Sequence, residues 1–350
     1  MTAVILTEFH PVASTVHSLL IPLLRILSDG KFHSGTSLAS SLDVSRATVC
    51  NVLKQSGDIG IRLHRIQGRG YQLPEPPDWL NATLASQYLR GNAAGFRIET
   101  VDETTSTNTV LLKSDDHSGT PLCLAAEIQT AGRGRRGRQW HASLGSSLTC
   151  SVRWRSSLGM AALAGASLAA GIATLRALQT CGIDGARLKW PNDILWQDRK
   201  LAGILTEVQG DALGPSTLVI GIGINVRLPA SLRADIDQPV ADLNEIAAQP
   251  VNRNQLLGEL LNALADVLDE FERAGLENLR HEWTRLHAHE QQRLDVTLAD
   301  GRLVSGTANG INAIGALIIK QADGLDIAIN TGDVRRARPQ TLATTASDQD

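Results

Sequence analysis

Apolar residues recur at helical spacing over residues 16–27 and stop at Ser28-Asp29-Gly30, which predicts a first helix. Ser34 opens a second over residues 35–42, with Leu38, Ala39 and Leu42 on one face. Asp43-Val44 makes a turn, and Ser45 can cap a third helix running to about Gln55 through Thr48, Val49, Val52 and Leu53. The period then changes. Residues 59–73 alternate, Ile61 and Leu63 against Arg62 and His64, before Arg65-Ile-Gln-Gly-Arg-Gly-Tyr, so a hairpin is expected with Arg65 and Arg69 near its tip. Two short helices joined by a tight turn, after a longer one and before a hairpin, predict a winged helix-turn-helix over residues 16–73.

Pro74-Glu-Pro-Pro-Asp-Trp breaks the pattern and reads as a stiff extended linker over residues 74–80. Helical and alternating stretches are then mixed. Helices are expected at 81–89, from Thr104-Thr-Ser-Thr-Asn onward, at 159–180 and at 252–276, the last with Asn252 and Gln255 as a capping box. Strands are expected at 96–101, 122–128, 148–154 and 218–226. Two further short strands flank the polar turn Gln197-Asp-Arg, the first interrupted by Pro191. From residue 293 to 338 short strands alternate with turns at Ala299-Asp-Gly, Asn309-Gly and Ala322-Asp-Gly, which predicts a small separate β-barrel. The chain is thus expected to be α+β and multidomain: an extension at 1–15, the winged unit, the linker, a mixed domain over 81–288, a barrel over 289–340, and a disordered polar tail at 341–350.

Composition narrows the class of protein. The chain has 350 residues, 43% hydrophobic and 20% charged, and a net charge of −3, so any nucleic-acid contact must come from a local patch. Its four cysteines lack a Cys-x-x-Cys pair and suggest a reducing, cytoplasmic setting. The start carries no signal-peptide pattern, and the longest small-apolar run, 160–174, is too short to span a bilayer. In the winged unit, residues from Gly35 to Lys54 place Ser45, Arg46, Thr48, Asn51 and Lys54 outward from the recognition helix, the residue types that base edges and phosphates require. Protein contact is the competing use of such a unit; the wing arginines favour DNA.

The densest chemistry is Gly132-Arg-Gly-Arg-Arg-Gly-Arg-Gln-Trp140. Arg133, Arg135, Arg136 and Arg138 can neutralise phosphate oxygens bidentately, and the glycines let backbone N–H groups come close. Such a loop repels itself, so it is expected to be poorly ordered when empty. Gly132, Gly134 and Gly137 match G-x-G-x-x-G formally, yet another strand follows in place of a helix, which excludes a dinucleotide fold; no Gly-Lys-Ser/Thr ends the stretch, which excludes a Walker loop. A merely solvated basic loop is the bland alternative. Ser106, Thr107 and Asn108 serve either as helix caps or as polar contacts for a small-molecule head. Asn192 and Asp193 can orient a cation or an attacking amine, and Lys200, beside Gly203, can meet a ligand oxyanion.

Five motifs in order, Ser106-Thr-Asn, Gln129 to Trp140, Lys189-Trp-Pro-Asn-Asp, Arg199-Lys-Leu-Ala-Gly-Ile-Leu and Gly221-Ile-Gly-Ile-Asn, make the chain resemble the bifunctional biotin–protein ligases of the BirA type from about residue 19 to 338. The resemblance implies a winged helix-turn-helix, a class II synthetase-like catalytic domain on a mixed sheet, and an SH3-like β-barrel. It implies ATP and Mg²⁺, biotin as substrate, and biotinyl-5′-AMP as intermediate and corepressor. The partners it implies are the biotin carboxyl carrier protein of acetyl-CoA carboxylase, biotin operator DNA and a second copy of the chain once adenylate is bound. Carried over by motif, Ser106, Thr107, Asn108, Gln129, Gly132, Arg133, Gly134, Arg135, Arg138, Trp140, Lys200, Gly203 and Asn225 bind biotin or its adenylate. Arg135, Lys200 and Asp193 would be catalytic, Asp193 also a candidate for Mg²⁺. A lipoate–protein ligase and a ligand-sensing transcription factor without ligase activity are the rival readings; the arginine-glycine loop favours biotin, and the complete motif set favours an enzyme.

Overall fold

The computed structural model describes residues 18–115 and 118–337. The chain begins with α1 (Leu20–Ile26), α2 (Gly35–Ser41) and α3 (Arg46–Lys54), then a hairpin of β1 (His64–Ile66) and β2 (Gly70–Gln72). Ser34 and Ser45 cap α2 and α3, each accepting from the backbone N–H three residues on. Leu20, Leu23, Leu24, Leu38, Val49 and Val52 are buried together, and the same apolar cluster takes in Ile128 and Leu144 from far along the chain.

The middle of the chain carries α4 (Ala82–Ser86), β3 (Arg97–Thr104), α5 (Thr107–Leu112), β4 (Leu122–Gln129), β5 (Ser147–Ser156), α6 (Ala166–Thr180), β6 (Arg187–Lys189), β7 (Asp193–Trp196), β8 (Arg199–Gly210) and β9 (Ser216–Asn225). These strands form one sheet in the order β3-β4-β5-β9-β8-β7-β6, parallel only between β3 and β4. Short α7 (Ala230–Ala234) and α8 (Leu243–Ile246) precede α9 (Arg253–Ala274), which packs on α6. Alternation sorts the sheet faces. Leu148, Val152, Ile220, Ile222 and Ile224 join the core with Leu168, Ile172, Leu260 and Leu264 of α6 and α9, while Leu124 and Val219 meet Leu111 of α5 on the other face. After α10 (Arg280–Leu286), β10 (Arg293–Thr297), β11 (Leu303–Ile311), β12 (Leu317–Lys320), β13 (Asp326–Ile329) and β14 (Asp333–Arg336) form an antiparallel sheet in the order β13-β12-β11-β10-β14. Mixed α+β is the resulting class.

Several elements differ from their expected form. The long helix starts at Ala166, because a 3₁₀ turn over Met160–Leu163 comes first. The pair of strands around Pro191 and the polar turn is three strands: the chain folds back between Lys189 and Asp193, and β8 runs on to Gly210. Asn309-Gly is no turn. It lies within β11 where the register with β12 shifts, Gly310 taking φ +71°, and the turn comes at Asn312–Gly315, closed by the Asn312 side chain. The expected tail and the expected extension both lie outside the described residues.

Residues 74–80 form neither helix nor strand, yet they are fixed. Buried Arg253 donates to the Asp78 carbonyl, the Ser147 carbonyl and the Glu127 carboxylate, the last at 2.9 Å with both side chains 1% exposed. Glu127 also accepts from Leu80 N–H at 2.6 Å. On the other side Trp79 Nε1 donates to Ser28 Oγ, and the Arg25 guanidinium lies 4.2 Å over the Trp79 ring while pairing with Asp102 of β3.

Candidate active site

Among the described residues a pocket opens whose floor is the sheet face away from α6. There Gly203 pairs with Gly223, and Leu205 with Gly221, so three of the four positions are bare backbone. A Cβ on Gly221 would stand 2.2 Å from Asn108 Oδ1, and one on Gly223 2.4 Å from Trp140 Cε2. Glycine there lets these two side chains form opposite walls in contact with the sheet.

Ser106, Thr107 and Asn108, each 3% exposed, line one end. Ser106 holds the N-cap position of α5 without a capping bond, so its hydroxyl is not spent on the helix. Thr107 N–H donates to Gln129 Oε1 at 2.8 Å, and the Thr107 hydroxyl lies 2.6 Å from Ser151 Oγ. Asn108 donates to the Leu205 carbonyl at 3.1 Å and to Glu207 Oε2 at 2.9 Å, while Ser151 donates to its Oδ1.

The arginine loop projects over the floor from a narrow neck, where Trp140 N–H donates to the Gly132 carbonyl and Gly134 N–H to that of Arg138. The expected self-repulsion is met by four tethers. Arg133 pairs with Glu207 at 2.5 Å, Arg135 donates to Asn192 Oδ1 at 3.3 Å, and Arg136 and Arg138 reach Asp333 of β14 at 3.1 and 3.4 Å. Burial pulls the Arg135 guanidinium below its usual value, and the neighbouring Arg136 charge adds to this. Trp140 Nε1 is buried without a hydrogen-bond partner among the described residues.

Lys200 completes the site. Its Nζ pairs with Asp193 Oδ1 at 2.8 Å and lies 5.9 Å from the Trp140 ring centre. Its backbone is strapped by residues 239–241: Lys200 N–H donates to Pro239, and the Lys200 carbonyl accepts from Ala241 N–H and Asn225 Nδ2. Lys189 stands nearby, its ammonium pulled down chiefly by burial and held up by Asp193. Among the described residues no group of three or more His, Cys, Asp or Glu could hold a metal ion alone.

The biotin/lipoate A/B protein ligase family matches residues 100–225, and the biotin protein ligase C-terminal domain matches residues 295–335. The chain is 35% identical over 305 residues to the bifunctional ligase/repressor BirA of Escherichia coli, covering 87% of this chain and 93% of that protein. This chain belongs to the biotin protein ligase family. The biotin–[acetyl-CoA-carboxylase] ligase of Mycobacterium tuberculosis is 32% identical, covering 75% of this chain and 98% of that one. Among solved structures, the biotin protein ligase from Aquifex aeolicus in complex with biotin and ATP shares the fold, with a TM-score of 0.57 and 23% identity over 69% of this chain and 99% of that one.

For a biotin protein ligase of this sequence, the pocket gathers Ser106, Thr107, Asn108, Gln129, Arg133, Gly134, Arg135, Arg138, Trp140, Asp193, Lys200, Gly203 and Asn225. Gly132 stands apart from the wall: a Cβ there would meet the Trp140 carbonyl at 2.5 Å, so it serves the neck. Asn225 is spent on the Lys200 and Ala241 carbonyls and supports the strap. Sequence reasoning named Arg136 with the phosphate-handling loop but missed Glu207 and Asp333. Glu207 had a signal, since alternation along β8 puts it on the face of Gly203 and Leu205; Asp333 had none, being brought from 195 residues away.

In the N-terminal unit Arg46, Asn51 and Lys54 are exposed on α3, but the Ser45 and Thr48 hydroxyls bond each other at 2.9 Å while Ser45 caps the helix. Arg69 lies 4.3 Å over the Phe32 ring and Arg65 5.8 Å from that of Tyr71. No helix among the described residues is long and apolar enough to cross a membrane.

Proposed function

We propose that the chain is an ATP-dependent biotin–protein ligase, forming biotinyl-5′-AMP and passing biotin to a lysine of a biotin carboxyl carrier protein, and a repressor of biotin-synthesis genes with the adenylate as corepressor. The convergence of all five motifs on one pocket carries this reading. In the first step a carboxylate oxygen of biotin attacks the α-phosphorus of ATP, and the P–O bond to pyrophosphate breaks. In the second, the carrier amine attacks the acyl carbon of the mixed anhydride, loses its proton, and AMP leaves. Both substrates of the first step are anions, so the rate depends on preorganised cations. Arg135, Arg136, Arg138 and Lys200 supply them, and Trp140 helps to exclude water from the anhydride.

Asp193 holds Lys200 in place and is positioned to orient the incoming amine. Its carboxylate is also a hard oxygen donor of the kind Mg²⁺ takes together with substrate phosphates, and bound Mg²⁺ would neutralise phosphate charge. The N-terminal unit is read as a winged helix-turn-helix, with Arg46, Asn51 and Lys54 on its recognition helix and Arg65 and Arg69 on its wing. The described residues of 289–340 are read as an SH3-like barrel domain, residues 81–288 as the class II synthetase-like catalytic domain, and a homodimer as the operator-binding form. A cytoplasmic setting fits four free thiols.

Binding to duplex DNA from upstream of biotin-synthesis genes tests both roles, with biotin alone, ATP alone, or both with Mg²⁺. Tightening only with both is expected, and Arg46→Ala should weaken it. No DNA binding under any condition would remove the repressor role and leave labelling of a carrier lysine to decide the ligase. Labelling with lipoate in preference to biotin would favour the rival ligase; tight biotin binding without any labelling would favour a sensor.

A further inference from the structure

Glu207 belongs to none of the five motif roles, yet it touches two of the residues assigned to the substrate. A single oxygen, Oε2, accepts from Asn108 Nδ2 at 2.9 Å and from Arg133 Nη2 at 2.5 Å. The carboxylate is part-buried, its side chain 27% exposed, and it stands one alternation step beyond Leu205 on the pocket face of β8. An ionised carboxylate only accepts hydrogen bonds. The Leu205 carbonyl likewise only accepts, so the two together require the Asn108 NH₂ to point at them. Asn108 Oδ1 must then face Ser151, whose hydroxyl must donate, and the Ser151 oxygen, 2.6 Å from the Thr107 hydroxyl, is left to accept, competing with Gln129 Oε1 at 3.1 Å for that single proton. Two acceptor-only groups on β8, the Leu205 carbonyl and the Glu207 carboxylate, thereby set the hydrogen-bond polarity of the wall from Asn108 to Thr107.

The same oxygen decides where Arg133 points. The other three arginines lean toward Asn192 and Asp333, at the side of Lys189 and Lys200; Arg133 alone is turned to the Asn108 end. A carboxylate in a site built for anionic substrates costs attraction. That cost is offset only if the carboxylate's work is to hold these two neighbours.

We propose that Glu207 is a positioning residue for the biotin-binding wall, fixing the Asn108 amide and the Arg133 guanidinium through one shared carboxylate oxygen. This rests on the ligase reading above. It acts on the biotin end of the pocket and leaves the nucleotide end untouched.

The test is steady-state pyrophosphate release by the full chain, varying biotin and ATP separately, with thermal melting of every variant. Glu207→Ala should raise the biotin KM by about tenfold while the ATP KM stays within about twofold and kcat within about threefold. Glu207→Gln keeps an acceptor for Asn108 but removes the counter-charge of Arg133, so the biotin KM should rise only about three- to fivefold. Arg133→Gln, which also removes a substrate contact, should raise the biotin KM by itself, and adding it to Glu207→Gln should cost clearly less than it does in wild type, since the pair is already broken. A biotin KM within about twofold of wild type in Glu207→Ala would overturn the proposal, as would equal rises in both KM values or additive losses in the double variant. If Glu207→Ala does not fold, the Gln series decides alone. Wild-type chain that releases no pyrophosphate with biotin would overturn the ligase reading itself, and the role of Glu207 with it.

Discussion

The four loop arginines are alike in charge and unlike in surroundings. Arg135 is the one drawn into the pocket beside Asn192, where burial already disfavours its charge, so an anionic ligand oxygen gains most from it. Arg135→Ala removes a charge-assisted contact worth about 1.5–3 kcal/mol, which corresponds to adenylate released roughly 10- to 100-fold faster. Chromatography of enzyme mixed with biotin and ATP in the absence of carrier should find the intermediate free in solution. Retention as tight as in wild type would remove Arg135 from that role. Lys200 differs again, since Asp193 and the 239–241 strap fix both its head and its backbone.

Elements stabilised by near neighbours were legible. Ser34, Ser45 and Asn252 each cap a helix through a bond to the N–H three residues on, a relation that composition and spacing display directly. The glycine-rich strand β9 was legible for a similar reason, since its alternate Ile220, Ile222 and Ile224 announce a buried face. What stayed hidden depends on distant partners. Asn309-Gly has turn composition but sits in a bulge, because β12 pairs across it and Asn312 closes the real turn. Likewise the proline-rich segment reads as a free linker, and nothing local shows that Arg253, 175 residues on, clamps Asp78. The clamp predicts its own energetics. Glu127→Ala leaves the Arg253 charge buried and should cost about 3–5 kcal/mol in chemical denaturation, and Arg253→Met added to it should restore much of the loss. A loss below about 1 kcal/mol would show that the pair is dispensable.

At the scale of the molecule, the two sheets meet at a histidine pair. His287 stacks on Trp283 with ring centres 4.7 Å apart and bonds Glu290, which accepts in turn from Gly310 N–H of β11. Burial pushes His289 down to about 4, helped by His287, Lys189 and Arg336 and opposed by Asp198. The unfolded chain takes that proton near pH 6.5 and the folded chain only near 4, so stability is lost as pH falls between them, by something of order 3 kcal/mol. Denaturation midpoints measured across that range should fall with pH, and His289→Gln should flatten the slope.

The tethers of the arginine loop have one further consequence. Before any substrate arrives, Arg136 and Arg138 already hold a carboxylate drawn from β14. Entry of a triphosphate is therefore an ion exchange within the protein, one anion displacing another, and it releases few counter-ions to solvent. ATP binding should weaken less than about threefold between about 50 and 200 mM salt, and Asp333→Asn, by leaving two arginines to solvent ions, should make it steeper.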